Sequence, residues 1–150
     1  MSVLYMLDTN IVSDLIRNPS GTAARKARAA GAAVCVSIIV AAELRYGCAK
    51  KGSPRLLERV EAFLDVVPVM ALEVPADAEY GGLRAELEAA GQPIGENDLL
   101  IAAHAYALEA TLVTANVGEF RRIRGLRVEN WLIPIALATD SDVIPPVRWL

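Results

Sequence analysis

Three carboxylates stand in surroundings that ordinarily exclude charge: Asp8 ends the apolar run SVLYML, Glu43 lies within SIIVAAEL, and Asp98 leads into LLIAA. An ionised side chain among apolar neighbours carries a desolvation cost unless a basic partner or a bound cation compensates it. Neither Asp8 nor Asp98 has an adjacent lysine or arginine. Glu43 is close to Arg45 in sequence, but positions so near each other do not face one another on a helix. Taken singly, Asp8 and Asp98 also read as helix N-caps, because an aspartate oxygen accepts from free backbone N–H groups there. Glu43, mid-helix beside Ala41, Ala42 and Leu44, gains nothing from capping. The joint occurrence predicts that the fold gathers the three acids around a divalent metal.

The elements that must position them alternate along the chain. VLYML (3 to 7) reads as a buried strand, and TNIVSDLIRN as a helix ending near Asn18 and Pro19. Residues 20 to 30 suit a second helix stopped by Gly31. AVCV is a second strand, after which Ser37 caps a helix through IIVAAELRYGCAK. From Pro54 an amphipathic helix runs to about Asp65, with Leu56, Leu57, Val60, Phe63 and Leu64 on one face. VVPVMAL is a strand that Pro68 confines to a sheet edge. ADAEYGGLRAELEAAG is a helix ended by Gly91, and a turn through Pro93 and Gly95 enters the next helix at about Asn97. LVT, NVGEFRRI and LRVENW read as strand, short helix and last strand. Strands separated by helices require crossovers, which predicts an α/β fold with a mostly parallel sheet of about five strands covered on both faces. In such a sheet ligands collect at the carboxyl ends of the strands. Asp8, Asp98 and Asn116 all fall at that edge, and Glu43 points toward it from about two turns into its helix.

Length and composition bound the class. A chain of 150 residues is one domain by length, able to bury roughly 70% of its unfolded surface without staples. Cys35 and Cys48 fit neither a disulfide framework nor a zinc spacing, which points to a reducing cytoplasm. Residues 1 to 30 show no export leader, and no apolar run approaches a membrane span, so a soluble cytoplasmic protein is expected. The net charge of -3 excludes a strongly basic nucleic-acid binder, yet the bases are clustered. Arg121, Arg122, Arg124 and Arg127 form one group, and Arg45, Lys50, Lys51, Arg55 and Arg59 another. Arginine forks match phosphate oxygens, so Arg45, Arg121 and Arg122 are candidate contacts to a phosphodiester backbone, with solvated faces as the plain alternative. The hydrophobic share of 54% exceeds the usual 45 to 50%, which leaves apolar surface for a partner or a second copy.

LDTNIVSDLI with Asp8, AAELRYG with Glu43, PIGENDLLIAAHA with Asp98, and LVTANVGEFRRIRGLRVENW together resemble PIN-domain ribonucleases, in particular the VapC toxins of toxin-antitoxin pairs. The resemblance covers about residues 3 to 131 in order, giving a PIN domain at 1–131 and a C-terminal tail at 132–150 without an assigned role. It implies a PIN-like three-layer α/β/α sandwich and Mg²⁺- or Mn²⁺-dependent endonucleolytic cleavage of RNA such as tRNA or rRNA. Asp8, Glu43 and Asp98 match the family's core metal-site acids. The fourth position, often aspartate, is Asn116, whose single neutral acceptor oxygen holds a cation more weakly, and Glu119 one turn on can supply the missing charge. Thr9, Asn10 and Thr114 suit donors that orient the acids. His104, amid alanines, reads as a helix-face residue before a general base. The resemblance further implies a homodimer and a small VapB-like antitoxin lying across the acidic cleft.

Two other classes compete. Asp8 after a first strand also suits phosphohydrolases and receiver domains that form an aspartyl phosphate, but Asn10 stands where their second acid is needed and all three lysines lie in the first half. The other is a catalytically weak PIN-like module that binds RNA or protein, which Asn116 keeps open.

Overall fold

A computed structural model describes residues 3–133. Five parallel strands form one sheet: β1 Tyr5–Leu7, β2 Val34–Ser37, β3 Val69–Met70, β4 Thr111–Val113 and β5 Val128–Glu129, in the order β3-β2-β1-β4-β5. Among the described residues seven α-helices flank it: α1 Thr9–Arg17, α2 Thr22–Ala30, α3 Ile38–Lys51, α4 Pro54–Val66, α5 Ala76–Ala89, α6 Glu96–Ala107 and α7 Val117–Phe120. The expected α/β/α arrangement is present, and among the described residues every strand pair is parallel. The tail beyond Ile133 lies outside the described residues.

The strand order carries functional information. The chain builds outward from β1 through β2 to β3, then returns to the other side of β1 for β4 and β5. The reversal falls between β1 and β4, where their departing loops diverge and leave a crevice at the carboxyl ends. Asp8 immediately follows β1, its backbone N–H reaching the Val113 carbonyl of β4 at 2.8 Å. Thr114 immediately follows β4. The two residues that flank the crevice are therefore consecutive with paired strand ends.

Local chemistry fixes the helices that reach this edge. Asp8 caps α1 by accepting from Thr9, and Ser37 caps α3 by accepting from Ile39. Ser53 caps α4 with Pro54 in its first turn, where the missing N–H is no loss. Gly52, in the left-handed region at φ 62, closes α3 and turns the chain directly into that cap. β3 lies at an edge as Pro68 requires, and is short because Pro68 takes part only through its carbonyl, which accepts from Val36.

The core runs through β1, β2 and β4, with Met6, Leu7, Val36, Leu112 and Val113 all inaccessible. Strands buried on both faces need apolar residues at consecutive positions, as these have. One expectation is corrected. Leu57 was placed on the buried face of its helix but is 42% exposed: Val60 and Phe63 take the inward positions, and Leu57 falls outside the arc they define. His104 lies on α6 and faces inward, buried among its alanines. Cys35 and Cys48 are free and buried, and burial pushes the Cys35 thiol up to about 11, which makes it inert. Among the described residues no helix is long and apolar enough to cross a membrane.

Leu112 sits at 0% exposure in the strand that presents Thr114. Leu112→Ala should lower the unfolding free energy by about 2–5 kcal/mol, read as a shift of the urea midpoint at unchanged slope.

Candidate active site

The crevice is built around Asp8, which is 5% exposed. Its Oδ1 accepts the Thr9 N–H at 2.8 Å. Its Oδ2 accepts the Thr114 hydroxyl at 2.8 Å and the Asn10 amide at 3.3 Å. Asn10 in turn accepts the Ala115 N–H at 3.0 Å through its Oδ1, and Thr114 Oγ1 accepts the Asn116 N–H at 3.0 Å. One carboxylate thus locks the end of β1, the start of α1 and the loop after β4 into a single unit. Capping and site formation are the same interaction here, so the two readings of Asp8 do not exclude each other.

Glu43 reaches the crevice from α3, where Thr9 Oγ1 donates to its Oε1 at 2.9 Å. Burial raises the Glu43 pKa, the Thr9 hydrogen bond opposes this, and the Asp8 charge adds to the rise. Asp98, half-buried in the first turn of α6, is pushed from 3.8 up to about 6. Burial is the main cause, followed by the charges of Glu119, Asp8 and Glu43 and by a hydrogen bond to Glu119. The fold has therefore brought Asp8, Glu43, Asp98 and Glu119 within electrostatic reach of one another.

Asn116 and Glu119 divide the fourth corner between them. The Asn116 amide donates to Glu119 Oε2 at 2.5 Å, while the Gly95 N–H donates to Glu119 Oε1 at 3.3 Å. Both oxygens of Glu119 are held, which aims its carboxylate at Asp98. The signal was present in the spacing, since residues three apart share a helix face, but it carries weight only once the loop after α5 is known to bring Gly95 alongside.

Among the described residues no lysine or arginine forms an ion pair with these acids. Among the described residues the ion pairs are Arg45–Glu61, Arg84–Glu88 and Arg84–Glu96, none of them in the crevice. Arg45, expected at a phosphate, is bridged to Glu61 on α4, so it reaches a phosphate only by exchanging partners. Arg121 is exposed, and Arg122 donates to the Pro93 carbonyl at 3.2 Å, at the loop that leads to Asp98. Two further cations stand near the acids, Lys51 from the second basic group and Arg17, which sequence reasoning did not single out. Arg17 and Lys51 line a cavity of about 280 Å³ whose floor is Ile16, Leu44, Leu56 and Val60 and whose inner wall includes Thr9 and Glu43. Each lies in the last turn of its helix, where a positive charge is favourable.

The donor set suits a hard cation: among the described residues Asp8, Glu43, Asp98 and Glu119 offer carboxylate oxygens to the crevice. Among the described residues no three His, Cys, Asp or Glu side chains close into a ready cage. That arrangement is looser than three gathered acids suggest. A Mg²⁺-type site would need only one or two of these carboxylates, with water and substrate phosphate completing the shell.

The PIN domain family model matches residues 5–126. Ribonuclease VapC2 of Haemophilus influenzae is 43% identical over 130 residues, covering 85% of this chain and 98% of that protein. The tRNA(fMet)-specific endonuclease VapC of Shigella flexneri is 36% identical over 128 residues, covering 85% and 97%. Among solved structures, VapBC2 from Rickettsia felis bound to a DNA fragment from its promoter has a chain that superposes with TM-score 0.79. It is 39% identical, with 86% of this chain and 99% of that chain covered. DNA-bound VapBC from Salmonella typhimurium gives TM-score 0.80 at 36% identity, with 86% and 98% covered.

The raised Asp98 pKa has a definite sign. Stability associated with its bound proton is fully present below the unfolded value near 3.8 and is lost as pH rises through about 6. In metal-free protein, carboxyl-carbon NMR should show Asp98 titrating near pH 6. Glu119→Gln should move that titration downward, and Asp98→Asn should remove this component of the stability loss.

Proposed function

The chain belongs to the PIN-domain family, among the VapC ribonucleases, and from that footing we propose that it is a Mg²⁺- or Mn²⁺-dependent endoribonuclease acting as the toxin of a toxin-antitoxin pair. The observation that carries the reading is the uncompensated acid cleft at the β1–β4 switch point. Asp8 is fixed by three donors, Glu43 is held against Thr9, and the Asp98 pKa is raised by burial and then by its like-charged neighbours. Asp8 and Asp98 are the ligands we assign first, with Glu43 and Glu119 holding the surrounding water and charge.

A bound divalent ion there supplies a water of lowered pKa and neutralises charge developing on the phosphate. The residues of the chain supply the rest. Thr114 and Thr9 keep Asp8 and Glu43 in one orientation, so no reorganisation is needed when substrate arrives. Asn116 contributes a neutral amide in place of a fourth acid and spends it on orienting Glu119. Arg122 contacts the loop that leads to Asp98 and Arg121 is exposed next to it in sequence, so the two are the proposed contacts for the backbone of an RNA strand. Structured RNA such as tRNA is the substrate class we propose, in keeping with the Shigella flexneri relative named for tRNA(fMet).

A VapB-like antitoxin is the proposed partner, in keeping with the toxin-antitoxin complexes among the similar structures. The cavity over Ile16, Leu44, Leu56 and Val60 offers an apolar seat that opens beside Glu43. An apolar antitoxin segment seated there would direct a basic side chain at the carboxylates, for the same electrostatic reason that they attract a cation.

Asp8→Asn should reduce cleavage of a tRNA and rRNA panel by at least about 10²-fold, and chelation of divalent ions should abolish it, with Mn²⁺ restoring activity. Sequencing of RNA 5′ ends from the wild type and Asp8→Asn reads both. An RNA panel left intact by the wild type with Mn²⁺ present would contradict the enzymatic reading and favour the binding module. Leu56→Glu should weaken antitoxin binding by about tenfold or more while leaving cleavage within about twofold, because it places an unpaired charge on the apolar seat.

A further inference from the structure

Ser37 and His104 lie outside the acid cleft, yet they join the two helices that supply Glu43 and Asp98. Ser37 is fully buried at the end of β2, and His104 on α6 is 1% exposed. Ser37 Oγ accepts the Ile39 N–H at 3.1 Å, which caps α3, and sits 2.8 Å from His104 Nδ1. With that N–H already accepted, the hydroxyl hydrogen is available to the ring, and Nδ1 receives it when the imidazole is neutral. Burial lowers the His104 pKa, against a smaller opposing pull from the Ala71 backbone, so neutral is the state the site favours. Nδ1 as acceptor leaves the ring hydrogen on Nε2, which makes no hydrogen bond of good geometry.

The placement of this pair is what gives it a consequence. Glu43 lies six residues after Ser37 on α3, and Asp98 lies six residues before His104 on α6. Each acid is thus about 9 Å of helix rise from the same hydrogen bond. Helices α3 and α6 pack directly on each other, and α6 also packs on β2. At 1% exposure His104 touches neither solvent nor RNA, so it has no part in proton transfer at the cleft.

We propose that the Ser37–His104 hydrogen bond is a positioning clasp that sets the spacing between Glu43 and Asp98 and thereby the affinity of the cleft for a divalent cation. The clasp rests on the metal reading given above. Without it, α3 and α6 keep their apolar packing but lose a directional contact that ties the N-terminus of α3 to α6.

Direct Mn²⁺ titration by electron paramagnetic resonance, paired with thermal unfolding of the metal-free protein, tests this. His104→Leu removes the acceptor and keeps apolar bulk. His104→Asn sets a side-chain carbonyl near the position of Nδ1. Ser37→Gly removes the hydroxyl at a position where glycine still caps. His104→Leu and Ser37→Gly should each weaken Mn²⁺ binding by about tenfold, the lower end for groups that orient ligands, and the double variant should be no weaker than either. His104→Asn should restore wild-type affinity. Lower melting temperatures with unchanged Mn²⁺ affinity would reduce the pair to core packing and overturn the clasp alone. A wild type that binds no Mn²⁺ would overturn the metal reading and the clasp together. If His104→Leu fails to fold, Ser37→Gly decides between these outcomes.

Discussion

Like-charge repulsion among four carboxylates is the constraint that the rest of the site must meet. Asp8, Glu43, Asp98 and Glu119 arrive from four different elements, and burial first, then the charges of the neighbouring acids, raises the pKa of Asp98 and of Glu43. A chain selected only for stability would place a lysine or arginine among them. Here the cations stay at the margin: Arg45 is spent on Glu61, Arg122 on a backbone carbonyl, and Arg17 and Lys51 on the rim of the neighbouring cavity. What holds the acids in place is neutral donors, namely Thr9, Asn10, Thr114, Asn116 and the Gly95 N–H. Neutral donors orient a carboxylate without cancelling its charge, which keeps the cleft available to a cation.

The sheet order makes this arrangement possible. Because β1 lies at the centre and the order of strands reverses between β1 and β4, two loops part at the same edge and bring together the residues that follow each strand. Asp8 and Thr114 occupy those two positions and bond to each other at 2.8 Å. The same bond therefore closes the fold and builds the site.

Much of this was legible in sequence, and the residues say why. Asp8 stands out because a charge directly after an apolar strand is rare, and Glu43 because a mid-helix acid among alanines has no local use. The strands and helices themselves follow from alternation and from Ser, Pro and Gly at their ends. Contacts between distant segments were not legible. The commitment of Arg45 to Glu61 depends on how α3 packs on α4, the aim of Glu119 depends on the loop carrying Gly95, and the burial of His104 depends on its meeting Ser37 across β2 and α6. Leu57 was misassigned because a helical face predicts an arc, while the edge of that arc is set by what packs against it. Asn116 looked like a deficit in isolation and becomes an orienting group once its partner is seen.

The account depends on a cation taking the place that no basic residue fills. Crystals grown with Mn²⁺ and measured for anomalous scattering test this most directly. The account predicts an anomalous peak in the crevice within about 2.1 Å of oxygens from Asp8 and Asp98. Strong peaks elsewhere with none in the crevice, or a lysine or arginine side chain folded over the acids in its place, would contradict it.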